Sequence, residues 1–292
     1  MRLIDKDFNI QGVSIILGFF DGLHCGHRAV INQAVEFAKK NNTKTLLLTF
    51  KNSPAEYFQK EFNYIYPREI SYKKIESLNV DFLLEENFED LVNIPAIKYL
   101  DEIVRKYLPK SITTGFNHTF GANKQGNPGV LKEMSAKYGY KYFEIPACFI
   151  NEQIVSSTLI KKVLLKGDII KANGLLTENF TLKIKIIEGE KIGRELGFPT
   201  ANAIYPQNIV KIPYGVYKVL VCNRLAIMNF GIKPTFGKNN ELLEIHIPNY
   251  EANLYGEDLE VQVIEKIRDE RKFASKEELI FQINEDLKCL GL

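Results

Sequence analysis

Excess charge of one sign, long apolar runs and closely spaced cysteines are all missing from this sequence. The 38 Lys and Arg residues nearly balance the 36 Asp and Glu residues, so the net charge is only +2. This charge gives no reason to expect nucleic acid or an anionic membrane as a partner. The longest apolar runs, such as residues 15–20, fall far short of the ~20 residues of a transmembrane helix.

The chain has only four cysteines, and their spacing does not suggest a disulfide framework. Cys25, Cys148, Cys222 and Cys289 form no CxxC pair, and the charged N-terminus contains no apolar segment of signal-peptide length. Such a pattern is typical of free thiols in a reducing compartment. We therefore expect a cytoplasmic protein with reduced cysteines. Its 292 residues favour two domains.

The first half of the chain alternates apolar strand-like runs with helical patterns. A strand over residues 13–19 is followed by a helix over 27–40 and a second strand over 43–50. The alternation continues with helices over 69–78, 96–107, 130–138 and 156–166, and strands over 80–84, 112–115 and 142–145. This order predicts an α/β doubly wound, mostly parallel sheet with helices on both faces.

After about residue 176 the pattern changes to short alternating strands. They are predicted over residues 182–187, 216–221, 225–230, 243–247 and 259–264, with a hairpin turn at Asn223-Arg224. Ser275 and Glu278 form a capping-box pattern before a final amphipathic helix. We predict a small antiparallel β-barrel with a C-terminal helix, and domains over residues 1–176 and 177–292.

The stretch LGFFDGLHCGHRAVI contains half of the four histidines in the chain. A metal site would need about four converging ligands, and the other histidines, His118 and His246, are far away in sequence. The glycines could also serve only to form a tight turn. A phosphate site explains more, because the stretch joins a strand to a helix N-terminus, where backbone N–H groups favour anions. His24 and His27 could then donate hydrogen bonds to phosphate oxygens.

GFFDGLHCGH resembles the HxGH signature of nucleotidyltransferases, in the FDGxHxGH form of bifunctional riboflavin kinase/FAD synthetases. IVSSTLIK, residues 154–161, is similar to the ISSTxIR block of that family. The resemblance implies that His24 and His27 are catalytic and stabilise the α-phosphate of ATP during adenylyl transfer to FMN. It implies an ATP-binding set for this step of Gly18, Phe19, Asp21, Gly26, Asn117, Ser156, Ser157, Thr158 and Lys161.

The N-terminal half departs from the family pattern at four places. Ser53 stands where TFxPHP has its histidine, Asn117 replaces the aspartate of GxDFxFG, and Lys161 replaces the arginine of SSTxIR. Residues 176–180 read LTENF where the family has LGRPY. Two alternatives stay open at this stage: a riboflavin kinase with a degenerate first domain, or a first domain that adenylylates another phosphorylated substrate.

The second half resembles riboflavin kinases in several motifs. GEKIGRELGFPTAN, residues 189–202, is similar to GxxxGRxLGFPTAN, and related blocks follow at residues 214–217, 229–236, 254–256 and 268–273. The resemblance implies a kinase ATP site formed by Gly189, Lys191, Gly193, Arg194, Gly197 and Pro199. Thr200 and Asn202 offer neutral oxygens suited to Mg²⁺ beside ATP phosphates.

Glu244 lies on one face of a predicted strand with Leu242 and His246, while Leu243 and Ile245 lie on the other. By resemblance Glu244 is the base that accepts the proton of the riboflavin 5′-hydroxyl, and Arg268 contacts the flavin. His246 is interpreted as structural. The expected partners are therefore small molecules: ATP, riboflavin, FMN and FAD. A flavin- or nucleotide-sensing protein without turnover is the remaining alternative, although binding alone needs no base.

Overall fold

The computed structural model describes residues 1–58, 61–189, 193, 197–235, 238–250 and 252–291, and no side chains over 233–235 or 238–240. The chain divides into two compact units. The first contains residues 1–62 and 71–157, and the second contains residues 63–70 and 158–292.

A six-stranded sheet forms the centre of the first unit. Its order is β1-β4-β3-β2-β5-β6, and every neighbouring pair is parallel. The strands are β1 (Arg2–Ile4), β2 (Ser14–Leu17), β3 (Thr45–Phe50), β4 (Phe82–Glu86), β5 (Ser111–Gly115) and β6 (Lys141–Ile145). A two-stranded ribbon follows, made of β7 (Phe149–Ile150) and β8 (Gln153–Ile154).

Helices connect these strands in chain order. They are α1 (Cys25–Lys40), α2 (Pro54–Tyr57), α3 (Arg68–Ser77), α4 (Phe88–Leu91), α5 (Ala96–Tyr107) and α6 (Pro128–Tyr138), with α7 (Ser157–Leu165) and α8 (Ile169–Leu176) after the ribbon. Alternate residues of a strand point to opposite faces of the sheet. Ile15 and Leu46 accordingly pack with α5 and α6, whereas Ile16 and Leu47 pack with α1 and α3. Helices therefore cover both faces, as the alternating pattern predicts.

A closed antiparallel barrel forms the second unit. Its order is β10-β13-β12-β11-β14-β9, which leaves no unpaired edge. The strands are β9 (Phe180–Ile187), β10 (Ala201–Ile204), β11 (Gly215–Val221), β12 (Arg224–Thr235), β13 (Lys238–His246) and β14 (Asp258–Arg268). The last helix, α9 (Lys276–Lys288), is capped by Ser275, whose side chain accepts a hydrogen bond from the Glu278 N–H. Its end packs through Leu287 and Leu290 on Val216 and Ile227 of the barrel.

Two further segments complete the second unit. In α8, the Asn173 side chain donates to the carbonyls of Val263 and Ile264 and accepts from the Phe180 N–H. Residues 63–70 are inserted from the first half of the sequence. Tyr64 pairs with Ile209 in a parallel bridge, and the ring of Tyr66 stacks on Phe180 with a centroid distance of 6.3 Å.

The parallel sheet and the barrel with its C-terminal helix confirm the predicted fold class. The sequence pattern missed the short elements β1, α2, α4, β7, β8 and β10, and the helix α8. The predicted hairpin exists, but its turn residues are Cys222 and Asn223, both with positive φ, because Val221 pairs with Arg224. Of the helices described, none combines the length and the apolar character that crossing a bilayer takes.

Candidate active sites

The HCGH stretch lies at the carboxyl end of β2 and forms the start of α1. Gly22 and Leu23 both have positive φ and turn the chain, and His24 occupies the N-cap position. The rings of His24 and His27 stack with centroids 3.8 Å apart and planes 22° apart. The ring of Phe20 contacts His27 edge-on at 5.3 Å. The turn therefore brings both histidines together beside the first turn of a helix, where a phosphate would be favoured.

Both histidines are held in the neutral form. Burial lowers the pKa of His24 from 6.5 to about 4. Burial also lowers the pKa of His27 well below 6.5, and the neighbouring His24 lowers it further. The Nδ1 atoms of both rings are buried and have no hydrogen-bond partner among the described residues. Each neutral ring has one N–H to donate, so the pair can offer two donors to an anion.

The second predicted phosphate segment reaches the first through its serine. Ser157 begins α7, and its hydroxyl donates a 2.7 Å hydrogen bond to the carbonyl of Asp21. Gly18 and Phe19 follow β2 directly, while Asn117 is exposed just after β5. Gly26 lies in α1 against the His24 ring. Ser156 and Ser157 belong to the first unit, whereas Thr158 and Lys161, on the same helix, belong to the second.

Ser53, which stands in place of the expected histidine, has a local structural role. Its side chain is only 3% exposed and accepts a hydrogen bond from the Ala55 N–H as the N-cap of α2. Serine is among the preferred N-cap residues. This position therefore shapes the loop after β3 and offers no imidazole to a phosphate.

The expectation that all cysteines are reduced is wrong for two of them. Cys25 and Cys148 form a disulfide, with their Cα atoms 6.2 Å apart, whereas Cys222 and Cys289 are free and exposed. The two partners are 123 residues apart in sequence, so their spacing gave no sign of the pair. The parallel order of β2, β5 and β6 brings the segments that follow β2 and β6 to the same edge of the sheet.

A large aromatic cavity opens at the same edge of the first unit. It has a volume of about 750 Å³ and begins at Leu17 and Gly18, where β2 ends. Rings line it from several elements: Phe50, Tyr57, Phe58, Phe88, Tyr99 and Phe120. The centroids of Phe50 and Tyr57 lie 5.3 and 5.5 Å from that of Phe88. Such a wall suits a flat conjugated ring system.

Polar groups of this cavity were missed from the sequence. The ring of His118 lies parallel to Phe120 at 5.8 Å, and its Nε2 atom is buried with no hydrogen-bond partner among the described residues. Burial lowers the pKa of His118 to about 4. The signal was available, since GxDFxFG carries phenylalanine at this position. Glu86, at the end of β4, accepts a 2.7 Å hydrogen bond from the Tyr99 hydroxyl, and burial raises the pKa of its carboxyl group.

In the barrel, strand register aligns three polar side chains. Asn202 on β10 lies directly opposite Glu244 on β13, and Glu244 lies directly opposite Asn229 on β12. Residues opposite each other on adjacent antiparallel strands have side chains on the same face, with Cβ atoms about 4.5–5.5 Å apart. Leu243 and Ile245 are fully buried on the other face, as predicted. Asn229 was not selected from the sequence, although it begins the block at residues 229–236.

Gly189 and Gly193 lie against the PTAN residues. A Cβ at Gly189 would overlap the Asn202 side chain, and one at Gly193 would overlap the Phe198 carbonyl and lie 3.1 Å from the Thr200 hydroxyl. The Phe198 N–H donates to the Gly193 carbonyl at 2.7 Å. Lys191 and Arg194 lie outside the described residues. The glycines thus permit a close backbone approach that a side chain would prevent.

A second cavity, of about 550 Å³, includes Pro199 and Thr200 in its wall. Tyr250, Asn253 and Tyr255 also line it. His246 supports this wall, because its Nδ1 lies 2.9 Å from the Pro199 carbonyl and its ring contacts Phe198 edge-on. This contact agrees with the structural interpretation of His246.

Two further carboxylates of the second unit, Asp286 and Glu270, lie after the last barrel strand in sequence. Arg268, predicted to contact the flavin, forms a two-pronged ion pair with the buried Asp286 of α9, with Nη2 and Oδ2 2.7 Å apart. Burial raises the pKa of Glu270, and the neighbouring Glu244 raises it further, which places Glu270 near the predicted base. Among the described residues no group of three or more His, Cys, Asp or Glu is arranged to hold a metal ion.

Comparison with known proteins accounts for both units. Residues 7–159 match the family model for FAD synthetase, and residues 176–290 match that for riboflavin kinase. The chain is 35% identical to the bifunctional riboflavin kinase/FMN adenylyltransferase of Buchnera aphidicola from Schizaphis graminum, covering 99% of this chain and 98% of the relative. It is 30% identical to the enzyme of the same name from Haemophilus influenzae, covering 96% and 93%.

A solved structure has the same fold along nearly the whole chain. It is described as a macrolide-efflux protein from Streptococcus pneumoniae, with a TM-score of 0.88, 26% identity and coverage of 99% of this chain and 98% of that one. The two family models, in the order seen along this chain, and the relatives that share its full length lead to one conclusion. The chain belongs to the bifunctional riboflavin kinase/FMN adenylyltransferase family.

Proposed function

We propose that this enzyme phosphorylates riboflavin to FMN with ATP in its C-terminal domain and adenylylates FMN to FAD in its N-terminal domain, releasing pyrophosphate. The observation that carries the first activity is the row of Asn202, Glu244 and Asn229 across three strands. By activity we assign residues 1–176 to the adenylyltransferase and 177–292 to the kinase, although residues 63–70 and 158–176 belong to the second compact unit. ATP and free flavins are intracellular metabolites, so we place the enzyme in the cytoplasm.

In the kinase step, the riboflavin 5′-oxygen attacks the γ-phosphorus and ADP leaves. Glu244 accepts the proton of this hydroxyl, which makes the oxygen a better nucleophile. The Thr200 hydroxyl and the Asn202 amide oxygen fit Mg²⁺, a cation that prefers oxygen ligands and retains phosphate and water in its shell. Bound Mg²⁺ would neutralise charge on the phosphate oxygens. Gly189 and Gly193 allow the backbone to lie close to Asn202 and Thr200, beside which the phosphates would bind.

In the adenylyl step, a phosphate oxygen of FMN attacks the α-phosphorus of ATP, and pyrophosphate leaves. His24 and His27 donate hydrogen bonds to the phosphate oxygens as negative charge develops on them. The aromatic cavity beginning at Gly18 holds the isoalloxazine ring of FMN by stacking. Its position at the carboxyl end of β2 agrees with the usual ligand site of a parallel sheet. Lys161, included in the ATP-binding set by resemblance, would supply a positive charge to this step.

Separation of flavins by chromatography tests both assignments in one chain. The protein is incubated with Mg-ATP and either riboflavin or FMN. Glu244→Gln should lower FMN formation by about 10²-fold or more and spare FAD formation from FMN, because it removes the base without changing size. His27→Ala should do the reverse. Glu260→Gln, an exposed position on β14 of the same barrel, is the matched control and should retain both activities.

The outcomes separate the alternatives. FMN formation without FAD in the unaltered enzyme would leave only a riboflavin kinase. Loss of both activities in a well-folded Glu244→Gln or His27→Ala variant would contradict the assignment of two sites. Absence of ATP consumption with either flavin would favour a sensing protein.

A further inference from the structure

The disulfide lies inside the motif that holds the two stacked histidines. Cys25 stands directly between His24 and Gly26 at the first position of α1, and its partner Cys148 follows β6 by three residues. A Cβ placed on Gly26 would lie 3.2 Å from the His24 ring and 3.8 Å from the Cys148 Cβ. The bond therefore fixes the backbone next to His24, in the first turn of α1.

The same bond also fixes the second phosphate segment. The Cys148 carbonyl accepts a 2.9 Å hydrogen bond from the Val155 N–H. Val155 is two residues before Ser157, whose hydroxyl donates to the Asp21 carbonyl at 2.7 Å. The disulfide, these two hydrogen bonds and the turn from Asp21 to Cys25 form a closed ring that contains both HCGH and the serines. Breaking the bond removes the covalent part of this ring.

The environment of the pair permits exchange with small thiols. Both cysteines are half-buried and not enclosed in the core. Disulfides that form in reducing compartments are usually transient and act in catalysis or redox sensing. A disulfide in a flavin-producing enzyme of the cytoplasm is thus better explained as a reversible, redox-active bond than as a permanent structural one.

We propose that Cys25–Cys148 is a thiol–disulfide modification site that controls adenylyl transfer alone, with the oxidised form active. This inference rests on the proposed function of the HCGH site. A dithiol thiolate attacks one sulfur, the Cys25–Cys148 bond breaks, and a mixed disulfide forms. The second thiol of the reductant then closes its own disulfide, so two electrons and two protons pass to the two cysteines. The HCGH turn and the serine segment lose their covalent tie, and the two histidines are held less firmly in position.

The enzyme contains its own internal control. The proposed kinase residues Glu244 and Asn202 lie in the other unit, and their arrangement is set by strand register. The free cysteines, Cys222 and Cys289, are exposed and can be replaced by serine to give a background in which only the pair can react. Thiol titration of that background should find no thiol after oxidation and two after reduction, since only Cys25 and Cys148 remain.

The experiment compares oxidised and reduced forms of the C222S/C289S protein with Mg-ATP and each flavin. Reduction by dithiothreitol should lower FAD formation from FMN by about 10- to 100-fold, since small misplacement of catalytic groups has effects of this size. Reoxidation should restore it, and FMN formation from riboflavin should stay unchanged throughout. Adding Cys148→Ser to the C222S/C289S protein should give the low rate of FAD formation under both oxidising and reducing conditions. If that variant fails to fold, reversible loss and recovery of FAD formation in the C222S/C289S protein is the test.

Several results would overturn the inference. Equal FAD formation before and after reduction, with two thiols released, overturns the proposed redox regulation and leaves the proposed function intact. A parallel loss of both activities, or a pair that dithiothreitol cannot reduce, overturns it as well. Absence of FAD formation in both the oxidised and the reduced form overturns the proposed adenylyl transfer, together with the redox regulation that rests on it.

Discussion

Individual residues of the N-terminal site combine burial with polar chemistry. His24, His27 and His118 all have buried ring nitrogens without a partner in the described chain. Burying a polar atom without a hydrogen bond costs free energy, and functional sites are where this cost is commonly found. These three rings therefore lower the stability of the free protein, which agrees with the ligand-binding role proposed for this site.

Acid should destabilise the first unit through these histidines. His24 and His118 have a pKa of about 4 in the folded protein, against 6.5 for an unperturbed histidine. Above pH 6.5 both states are neutral and stability is unaffected; as pH falls from 6.5 to about 4, the unfolded chain binds protons first. Thermal unfolding of the ligand-free protein should thus show a falling melting temperature across this window.

His118→Phe is the variant that isolates one contribution to this acid effect. It removes a buried nitrogen, keeps a ring next to Phe120, and should raise stability by about 1 kcal/mol or more at neutral pH. It should also make the fall in melting temperature below pH 6.5 shallower. An unchanged slope would mean that His118 does not titrate in the unfolding transition.

Single elements show what sequence patterns can and cannot predict. Helix α5 was predicted over the observed range, Ala96–Tyr107, because its apolar residues recur at helical spacing and face the sheet. Helix α2 and strand β10, with four residues each, are too short to give a period. They exist because of local capping by Ser53 and because β10 pairs with β9 and β13 on either side.

The candidate sites divide in the same way. The histidines, Thr200, Asn202 and Glu244 could be selected from the sequence because their motifs are contiguous or lie on one alternating strand. The disulfide and the aromatic cavity could not, because each depends on residues that the topology brings together from distant parts of the chain. Contacts of this kind leave no trace in the local spacing of residues.

The glycine-rich segment gives a prediction at the level of one loop. Gly189→Ala should lower FMN formation by about tenfold or more, because its Cβ would overlap the Asn202 amide and displace it from Glu244. FAD formation from FMN should not change. Gly174→Ala is the control: it lies within α8 with nothing within 4 Å of its Cβ, and should leave both rates intact. Equal rates for Gly189→Ala and the unaltered enzyme would contradict the close packing of this loop.

At the scale of the whole molecule, the two units are not consecutive in sequence, because the second unit includes a segment of the first half of the chain. The chain passes from one unit to the other at residues 62–63, 70–71 and 157–158. The inserted segment adds Tyr66, 1% exposed, to the second unit, where its hydroxyl donates to Glu178 at 3.4 Å and its ring stacks on Phe180. The kinase unit therefore takes part of its core from the first third of the sequence.

Tyr66→Ala should consequently destabilise the second unit by about 3–5 kcal/mol, the usual effect of truncating a buried aromatic residue. Urea unfolding followed by loss of riboflavin phosphorylation measures this effect in the full-length chain. Phe281→Ala, which is 63% exposed on α9 of the same unit, should cost far less. A fragment of residues 158–292 should show a deficit similar to that of Tyr66→Ala, whereas equal stability of fragment and parent would contradict the assignment of residues 63–70.

The register of β13 gives the barrel a safeguard against its own misfolding. Leu243 and Ile245 face the core and Glu244 faces Asn202 and Asn229, so a slip by one residue would exchange these positions. The carboxylate would then have to enter an apolar interior, at a large cost in solvation. A barrel with Glu244 on the wrong face is therefore disfavoured by the same burial of apolar side chains that makes the chain fold. In this half of the enzyme, a correctly folded barrel is therefore also one in which the proposed base, Glu244, lies beside Asn202 and Asn229.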